Sequence, residues 1–480
     1  MITPEDVVAS IHSGPGGPRI GAFFDLDGTV VAGYTASAFW NDRLRSRDIG
    51  VGEFTRTMVA ALDGNLLGGN PTKIGDVSVG GLRGRGEDEL VELGERLFVQ
   101  KTAGTIRPQA RDLVRAHLKM GHTVAFASAA TRFQIEPIAA DLGVTHVLCT
   151  ELETEDGILT GRLAGKMLWG EPKARAVRQF ARDKGIDLAA SHAYANGDED
   201  VAFLASAGLP YAINPHRGLL DAAALQKWPV LRLREPRKAG LRSVLGTVGA
   251  LAGLNVGLGV GAALGILNRD RKFGINTGIP LACDSALALA GVKLNVIGEH
   301  NLWRARPSIF IGNHQSSLDS IVMGSLLRKD FTAVGKKEAQ YDPRTLIGGL
   351  LLDPAFIDRS NPEKAIAELD KLGERIRSGT SIVIFPEGAR APTPALARFK
   401  KGAFHIAIQA GVPMVPIVLR NTGELMWRRS KLVHPGTVEV CVLDPIPTDD
   451  WKVEDLDRIT AEVRQKFVDT LEKWPDREGD

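Results

Sequence analysis

The sequence predicts an α/β protein with two domains and an apolar helical segment between them. Residues 1–232 and residues 301–480 each alternate short apolar runs with amphipathic runs of helix length. Residues 233–300 differ, because they are rich in glycine and apolar residues and include a stretch without any charge. A chain of 480 residues also exceeds what one hydrophobic core usually supports, so several domains are expected.

Composition excludes some classes of partner. The formal net charge of +2 gives no broad attraction for nucleic acid, and we expect no such partner. Cys149, Cys283 and Cys441 form no Cys-x-x-Cys pair, which argues against a thiolate metal site and fits a reducing cytoplasm. The first residues have neither a basic region nor an apolar core, so we expect no signal peptide and catalytic parts that stay in the cytoplasm.

The order of elements in the first domain predicts a parallel sheet. Gly21–Phe24, Thr123–Ala127 and His192–Ala195 have the length and apolar character of buried strands. Arg107–Lys119 and Pro172–Lys184 have helical periodicity, and proline is well tolerated in the first turn of a helix. Alternating strands and helices favour a parallel sheet with helices on both faces.

The last domain shows the same alternation. Ser308–Gly312 and Ser381–Phe385 are predicted to be strands. From Val453 to Leu471, apolar residues recur at intervals of three and four, which predicts an amphipathic C-terminal helix. Its apolar stripe is interpreted as packing on the core.

The apolar segment has the length of a membrane helix. Ser243–Leu267 carries no charge and, as a helix with 1.5 Å per residue, would extend about 37 Å. Glycine occurs at every fourth position, at Gly249, Gly253, Gly257, Gly261 and Gly265. Such a stripe lets another helix approach closely. A second apolar stretch, Ile275–Val292, is interrupted by Asp284 and is long enough to return the chain.

Two interpretations of this segment stay open. Basic residues flank Ser243–Leu267 on both sides, so the charge pattern gives no clear orientation in a membrane. We expect a helical hairpin embedded in membrane lipids at the cytoplasmic leaflet, or crossing it shallowly. The alternative is a glycine-rich helix that packs on the C-terminal domain in water.

Two carboxylates follow the first predicted strand. Asp25 and Asp27 are separated by one residue and followed by Gly28-Thr29, so both leave the strand end on the same side. One carboxylate can attack phosphorus while the other moves protons. A divalent cation has to offset the repulsion between these carboxylates and a phosphate group.

This motif resembles the haloacid dehalogenase superfamily of aspartyl-phosphate phosphatases, over residues 20–232. The resemblance implies a Rossmann-like domain in which Asp25 is the nucleophile and Asp27 the general acid/base, with Mg²⁺ bound nearby. It also implies that Ser128 and Lys173 bind phosphate; Lys166 is a poorer candidate for the lysine, because no helix clearly begins there. A helical cap at about residues 33–105 resembles the phosphoserine-phosphatase-like branch.

One element departs from that family. The chain has Ala195-Asn196-Gly197-Asp198-Glu199-Asp200 where the family has Gly-Asp-Gly-x-x-Asp, so Asn196 stands in the place of a metal-binding aspartate. We expect the metal ligands to be Asp25, Asp27 and Asn196, with weaker metal binding and slow or absent turnover. Asp198 is an alternative ligand if the loop shifts.

A histidine and an aspartate form the core of a second motif. His314 and Asp319, in Asn313-His314-Gln315-Ser316-Ser317-Leu318-Asp319, follow a predicted strand at a spacing that lets the carboxylate hold the imidazole. A histidine held in this way can remove a proton from an acceptor hydroxyl. A hydroxyl that attacks a thioester directly needs no nucleophilic serine or cysteine.

Several cationic residues follow this pair. Arg359 comes after a predicted strand, and Glu387 and Arg390 belong to a tight turn. A guanidinium group suits a bidentate contact with phosphate. The pairs Lys336–Lys337 and Lys400–Lys401 are interpreted as solvated surface.

These motifs resemble the glycerolipid acyltransferase family, specifically 1-acylglycerol-3-phosphate acyltransferases, over about residues 290–450. Four blocks occur in order: Asn-His-x4-Asp at 313–319, Phe-Ile-Asp-Arg at 356–359, Phe-Pro-Glu-Gly at 385–388 and Val-Pro-Met-Val-Pro at 412–416. The resemblance implies that His314 and Asp319 are catalytic. It also implies that the acceptor is bound by Arg359, Glu387, Gly388 and Arg390. Being anionic, Glu387 is expected to meet hydroxyls or orient an arginine. Ala389 replaces the usual threonine.

The combined resemblance is to fused phosphatase–acyltransferase proteins of actinobacterial type. It implies acyl transfer from acyl-CoA or acyl-carrier protein to lysophosphatidate. Two alternatives remain: another acceptor, such as glycerol-3-phosphate or a lysophospholipid, and an N-terminal domain that is a non-catalytic regulatory module.

Overall fold

The structure is a computed structural model that divides into two compact units, Met1–Pro236 and Arg237–Asp480. It describes residues 2–46, 79–235, 240–336, 355–357, 372–391, 393–428 and 430–475. The predicted fold class is confirmed, since each unit is built on a largely parallel sheet with helices. The three-part division at residues 232 and 300 stays a prediction.

A six-stranded parallel sheet forms the centre of the first unit. Its strands lie in the order β3-β2-β1-β6-β7-β8. They span β1 Gly21–Phe24, β2 Thr123–Thr131, β3 His146–Thr150, β6 His192–Ala195, β7 Leu209–Ile213 and β8 Val230–Leu231. The predicted strands are confirmed, and β2 runs beyond its predicted end at Ala127 because Thr131 still pairs with Thr150 after a register shift.

Helices of the first unit follow the predicted alternation. They span Pro4–Ser13, Ala36–Arg45, Glu87–Gln100, Pro108–Lys119, Arg132–Leu142, Glu171–Lys184, Val201–Leu204 and Arg217–Gln226. Pro108 and Pro172 lie in the first turns of their helices, where a missing N–H costs nothing. The predicted helices are therefore confirmed within one residue.

The cap region is only partly described. Helices Ala36–Arg45 and Glu87–Gln100 lie within it, and residues 47–78 lie outside the described residues. A hairpin of β4 Leu152–Glu155 and β5 Ile158–Leu163 contributes Leu159 to the same apolar cluster as Leu90 and Leu97. The sequence motifs gave no indication of this hairpin.

A seven-stranded sheet in the order β12-β11-β13-β10-β14-β15-β9 forms the centre of the second unit. Its strands are β9 Val292–Ile297, β10 Ile309–Gly312, β11 Phe331–Lys336, β12 Ala355–Ile357, β13 Ser381–Ile384, β14 Met414–Leu419 and β15 Gly436–Val442. Adjacent strands are parallel except β14 and β15. The helices that carry or support the site span Asn301–Arg304, Leu318–Leu327, Gly402–Ala410, Thr422–Leu425 and Leu456–Glu472.

Two apolar helices precede this sheet. They span Leu241–Leu267 and Arg271–Ala290, and both are long and apolar enough to cross a membrane. The glycine stripe is their interface: a Cβ at Gly257 would lie 2.3 Å from the backbone nitrogen of Ala282, and one at Gly261 would lie 2.4 Å from the Cα of Gly278. The prediction that the stripe admits a second helix closely is confirmed.

The second apolar helix also packs on the helix Leu318–Leu327. A Cβ at Gly324 would lie 2.5 Å from the Cys283 sulfur. Asp284, the charge that interrupts the apolar stretch, accepts hydrogen bonds from Ser325 at 2.5 Å and Arg328 at 3.1 Å. The charged residue therefore faces the helix that packs on the seven-stranded sheet, and the hairpin and this sheet share one hydrophobic core.

Candidate functional site

The histidine–aspartate pair lies where β10 turns into the helix Leu318–Leu327. Nδ1 of His314 is 2.8 Å from Oδ2 of Asp319, which also accepts the backbone N–H groups of Gln315 at 2.7 Å and Ser316 at 2.8 Å. Asp319 is fully buried, and 18% of the His314 side chain is exposed. A carboxylate on Nδ1 fixes the tautomer in which Nε2 is free to accept a proton.

Two neighbours orient this histidine further. Asn313 exchanges two hydrogen bonds of 2.7 Å with the backbone of Leu419, which ties the motif to β14. The Phe385 ring stacks on the imidazole with 4.1 Å between ring centroids. Both contacts reduce the freedom of His314 before any substrate binds.

Glu387 has a role that the motif did not reveal. Its carboxylate accepts the N–H of His314 at 2.6 Å and the N–H of Ala397 at 2.9 Å, and the residue is 6% exposed. Burial raises the pKa of Glu387 despite these two hydrogen bonds. Both oxygens are thus engaged within the protein, which favours a positioning role over direct contact with the acceptor.

The turn after Glu387 places an arginine beside the motif. Gly388 has φ +76°, a left-handed conformation that glycine adopts without strain. Arg390 donates to the hydroxyl of Ser317 and, at 3.4 Å, to the carbonyl of Arg428. The structure therefore brings Arg390 next to the histidine turn.

The remaining cationic candidates are less informative. Arg359 and Lys337 lie outside the described residues. Lys336 ends β11. Lys400 is exposed, and Lys401 forms an ion pair of 2.8 Å with Asp457.

In the first unit, one lysine bridges two aspartates. Nζ of Lys173 is 2.6 Å from Oδ1 of Asp25 and 2.8 Å from Oδ1 of Asp200, and all three side chains are buried. Burial lowers the pKa of Lys173, but the carboxylates of Asp200 and Asp25 outweigh burial and raise the pKa above its ordinary value. Lys173 is therefore a fixed cation in this cluster.

The second aspartate is held by a threonine. Asp27 accepts the N–H of Thr35 at 2.8 Å and its hydroxyl at 3.1 Å. Burial raises the pKa of Asp27 to about 7, and the negative charge of Asp25 adds to this effect. A carboxyl group with a pKa near neutrality can both donate and accept protons.

The three expected metal ligands converge. One terminal atom of the Asn196 amide lies 2.9 Å from the Asp27 carbonyl oxygen and 3.3 Å from Oδ2 of Asp25. Oxygen ligands of an octahedral Mg²⁺, at about 2.1 Å from the ion, lie about 3 Å from one another. If the amide oxygen occupies this place the spacing suits Mg²⁺, whereas an amide N–H there satisfies both acceptors without a cation.

Among the residues that the structure describes, no group of three or more His, Cys, Asp or Glu side chains is arranged to hold a metal ion. A cation near Asp25 would thus depend on the Asp27 carbonyl and on Asn196. Asp198 is engaged elsewhere, since its Oδ1 accepts the N–H of Leu219 at 2.7 Å. The loop as it stands gives no support to Asp198 as a substitute ligand.

The structure also places the expected phosphate-binding residues. Ser128 is buried on β2, and its hydroxyl accepts the N–H of Ala130 at 3.2 Å. Since Phe24 pairs with Phe126 in parallel, Ser128 lies at the same sheet edge as Asp25. Lys166 is exposed, whereas Lys173 joins the cluster.

Sequence reasoning missed three residues of this site. Thr29 donates to Asp25 at 2.9 Å and lies 3.0 Å from the Asn196 amide. Thr35 holds Asp27, and Asp200 is the second partner of Lys173. Thr29 and Asp200 lie within the two aspartate motifs, although no role was predicted for them, and no spacing rule pointed to Thr35.

Comparisons with known proteins agree with this division. A family model described as haloacid dehalogenase-like hydrolase matches residues 22–205, and one described as acyltransferase matches residues 293–420. The chain is 36% identical over 245 residues to a putative hydrolase of Mycobacterium leprae; the match covers 48% of this chain and 79% of that protein.

Two further relatives are named 1-acyl-sn-glycerol-3-phosphate acyltransferase. The Saccharomyces cerevisiae protein is 35% identical over 38% of this chain, and the Cocos nucifera protein is 38% identical over 34% of it. The chain spans 62% and 54% of the lengths of these two relatives. Together with the two folds and their sites, these matches show that the chain belongs to the haloacid dehalogenase-like hydrolases through its first unit and to the acyltransferases through its second.

Proposed function

We propose that the second unit transfers an acyl group from a thioester to the free hydroxyl of 1-acylglycerol-3-phosphate, giving phosphatidate. The observation that carries this proposal is the His314–Asp319 pair, with a fully buried carboxylate that accepts three N–H groups. The names of the yeast and coconut relatives support the choice of acceptor.

The chemistry follows from the free nitrogen of the imidazole. Nε2 of His314 accepts the proton of the acceptor hydroxyl while the hydroxyl oxygen attacks the thioester carbonyl carbon. Asp319 stabilises the imidazolium ion that forms. The carbon–sulfur bond then breaks, and the leaving thiolate of coenzyme A or acyl-carrier protein takes the proton from His314.

Acceptor binding is assigned to the arginine side of the site. Arg390, held at the histidine turn by Ser317, supplies a cation for the acceptor phosphate. Arg359 is assigned the same role from its place in the family motif. Gly388 allows the tight turn through its left-handed conformation, and Glu387 fixes the backbone of His314.

The apolar hairpin suits an acceptor that stays in a bilayer. Its outward side chains include Leu245, Val248 and Leu267, which are 62%, 60% and 79% exposed. So much exposed apolar surface on one hairpin is typical of contact with membrane lipids. We propose that it inserts at the cytoplasmic face of the cell membrane, as part of phospholipid biosynthesis.

Release of coenzyme A by the full chain in detergent tests this function. Acyl-CoA and lysophosphatidate are supplied to the native protein, to His314→Ala and to the control His300→Ala, which changes an exposed histidine of the same unit. Release that depends on lysophosphatidate, is lost in His314→Ala and persists in His300→Ala is the expected result. If coenzyme A is released only with glycerol-3-phosphate or another lysolipid, the proposed acceptor is wrong. If transfer occurs only from acyl-carrier protein, acyl-CoA is not the donor.

For the first unit, the cluster around Lys173 favours a second activity as a Mg²⁺-dependent aspartyl-phosphate phosphatase. Asp25 attacks phosphorus, and Asp27 gives its proton to the leaving oxygen; water then attacks the aspartyl phosphate as Asp27 takes a proton back. Mg²⁺, when bound by Asp25, the Asp27 carbonyl and Asn196, would supply charge neutralisation. Lys173 and Ser128 would bind the phosphate oxygens.

The alternative for this unit is a regulatory module without turnover. Asn196 motivates it, because an amide in place of a carboxylate removes one negative charge from the expected metal site. The same amide can satisfy the Asp27 carbonyl and Asp25 without any cation.

A further inference from the structure

The chain leaves the first unit through a short segment, residues 232–235, which we call the strap. Leu233 is 4% exposed and exchanges two hydrogen bonds of 2.9 Å with the side chain of Asn214. The N–H of Arg234 donates to Oε1 of Gln109 at 2.7 Å. The strap is thus fastened to the hydrolase domain by backbone contacts on both sides.

The last contact of the strap reaches the catalytic loop. Oε1 of Glu235 accepts a hydrogen bond from Nη2 of Arg107 at 2.6 Å. Nη1 of the same guanidinium lies at 2.8 Å, 3.1 Å and 3.0 Å from the carbonyl oxygens of Gly28, Thr29 and Val31. Arg107 therefore connects the strap to the loop that directly follows the second catalytic carboxylate.

The ion pair between Arg107 and Glu235 makes the position of Arg107 depend on the strap. The Arg107 side chain is 4% exposed, whereas that of Glu235 is 53% exposed. A buried guanidinium that loses its carboxylate partner is drawn towards water, because an unpaired buried charge is unfavourable. If Arg107 moves in this way, the carbonyls of Gly28, Thr29 and Val31 lose its hydrogen bonds at once, and among the described residues only that of Val31 keeps a backbone donor, the N–H of Gly28.

We infer that Arg107 and Glu235 are positioning residues of the hydrolase site. Arg107 holds the loop through its backbone carbonyls, while Thr35 holds the Asp27 carboxylate. Because Glu235 of the strap pairs with the arginine that bonds to the loop, the loop is ordered only while the strap stays seated. This inference rests on the proposed assignment of that loop to phosphatase chemistry.

Amide hydrogen exchange of the full chain tests the connection without requiring turnover. The loop has protected amides, since Gly28 donates to Val31 at 2.8 Å and Val31 donates to Leu26 at 2.9 Å. Glu235→Ala should speed exchange in peptides covering residues 26–33 by about threefold to tenfold, the effect of losing one partly exposed charged hydrogen bond. Glu235→Gln, which keeps an acceptor, should restore part of the protection.

Arg234→Ala is the matched control, because it changes the neighbouring strap side chain and keeps the N–H that bonds to Gln109. Equal exchange of the loop in Glu235→Ala and Arg234→Ala would overturn the inference. So would faster exchange spread equally over the helix Glu171–Lys184, because that marks general loosening of the unit.

Hydrolysis of p-nitrophenyl phosphate with Mg²⁺ separates this inference from the proposed phosphatase activity. If the native chain turns over, Glu235→Ala should lower kcat more than it changes KM, since the phosphate-binding Lys173 lies elsewhere. If the native chain is silent, the phosphatase proposal fails while the exchange result still decides whether the strap orders the loop.

Discussion

The two candidate sites stabilise carboxylates in opposite ways. In the second unit, one oxygen of Asp319 accepts three N–H groups, all from its own turn. In the first unit, Asp25 and Asp200 share the ammonium of Lys173. Burial raises the pKa of both Asp27 and Asp200 to about 7, and the negative charge of Asp25 adds to both shifts.

Because their carboxylates are stabilised differently, the two sites differ in whether they need an added cation. The histidine–aspartate pair is held by N–H groups of its own turn, so the chemistry assigned to it depends on how well His314 is positioned. The aspartate cluster gains from an added cation, so its chemistry depends on what the Asn196 loop can hold. A substitution in one site can therefore be compared with the other site, which serves as an internal reference.

The largest expected effect is loss of acyl transfer in Asp319→Asn. A neutral amide oxygen is a weaker acceptor for these three N–H groups and does not stabilise an imidazolium ion, and an amide N–H facing Nδ1 favours the other tautomer. We expect kcat for coenzyme A release to fall on the order of 10³- to 10⁴-fold. Asp444→Asn is the control, because Asp444 lies in the same unit with 81% of its side chain exposed. A fall of less than tenfold would contradict the assigned role of Asp319.

Asn196→Asp should strengthen Mg²⁺ binding at the aspartate cluster of the first unit. The new carboxylate adds a charged ligand beside Asp25, so Mg²⁺ affinity should rise by about tenfold or more. Calorimetric titration with Mg²⁺ and hydrolysis of p-nitrophenyl phosphate measure the effect. Asn41→Asp adds the same charge at an exposed position of the unit and should change neither.

The outcome for the native chain decides between the two interpretations of the first unit. A silent native domain that gains turnover in Asn196→Asp would support the non-catalytic regulatory module. Strong native turnover with tight Mg²⁺ binding would contradict that module and support the phosphatase.

The sequence motifs contain the residues to which we assign chemistry, whereas most of the residues that hold them in place were not predicted. Asp25, Lys173, His314 and Asp319 lie at strand ends or helix starts, where motif and periodicity specify their place. Their supports lie outside the motifs: Thr35 bonds to the Asp27 side chain from eight residues further on, and Arg107 bonds to the Gly28 carbonyl from a distant helix start. For Glu387 the motif predicted contact with acceptor hydroxyls or an arginine, which stays a prediction, and its bonds to the His314 and Ala397 N–H groups were not predicted.

Apolar periodicity was enough to predict some of the strands but not all of them. Strands β1 and β6 match their predicted bounds, because short buried runs leave little choice of structure. The hairpin of β4 and β5 was missed, since its half-exposed residues carry no strong apolar alternation. The contacts of Asp284 with Ser325 and Arg328 likewise depend on tertiary packing.

The glycine stripe allows a test confined to the second unit. Leucine at Gly257 would collide with the backbone of Ala282, whereas a Cβ at Gly259 meets nothing within 4 Å. Gly257→Leu should therefore destabilise the hairpin by on the order of 3 kcal/mol, and Gly259→Leu should be tolerated. Because the hairpin packs on the helix that carries Asp319, acyl transfer should fall with the melting temperature in detergent.

The Gly257→Leu substitution should not affect the site in the first unit. Mg²⁺ binding near Asp25 should be unchanged in Gly257→Leu, because the aspartate cluster and its hydrogen-bond partners all belong to Met1–Pro236. Equal melting temperatures of Gly257→Leu and Gly259→Leu would show that the close helix contact contributes little to stability.

The smallest expected effect is a pH dependence of stability in the first unit. Burial, together with the neighbouring His192 and His122, lowers the pKa of His117 to about 2. Its neutral ring lies 2.8 Å from His122 and 2.9 Å from the Tyr194 hydroxyl. Because the unfolded chain binds this proton near pH 6.5, the stabilisation is complete above that pH and is lost as pH falls towards 2.

The slope of stability against pH tests this contribution. Below about pH 5.5, a single such histidine lowers the free energy of unfolding by up to about 1.4 kcal/mol per pH unit. His117→Gln should flatten the fall of the melting temperature between pH 7.5 and pH 5, whatever its melting temperature at pH 7.5. Some slope should persist, since burial also lowers the pKa of His192 to about 4. His300→Ala, which alters an exposed histidine of the second unit, should leave the native slope unchanged, and an unchanged slope in His117→Gln would refute the contribution of the buried ring.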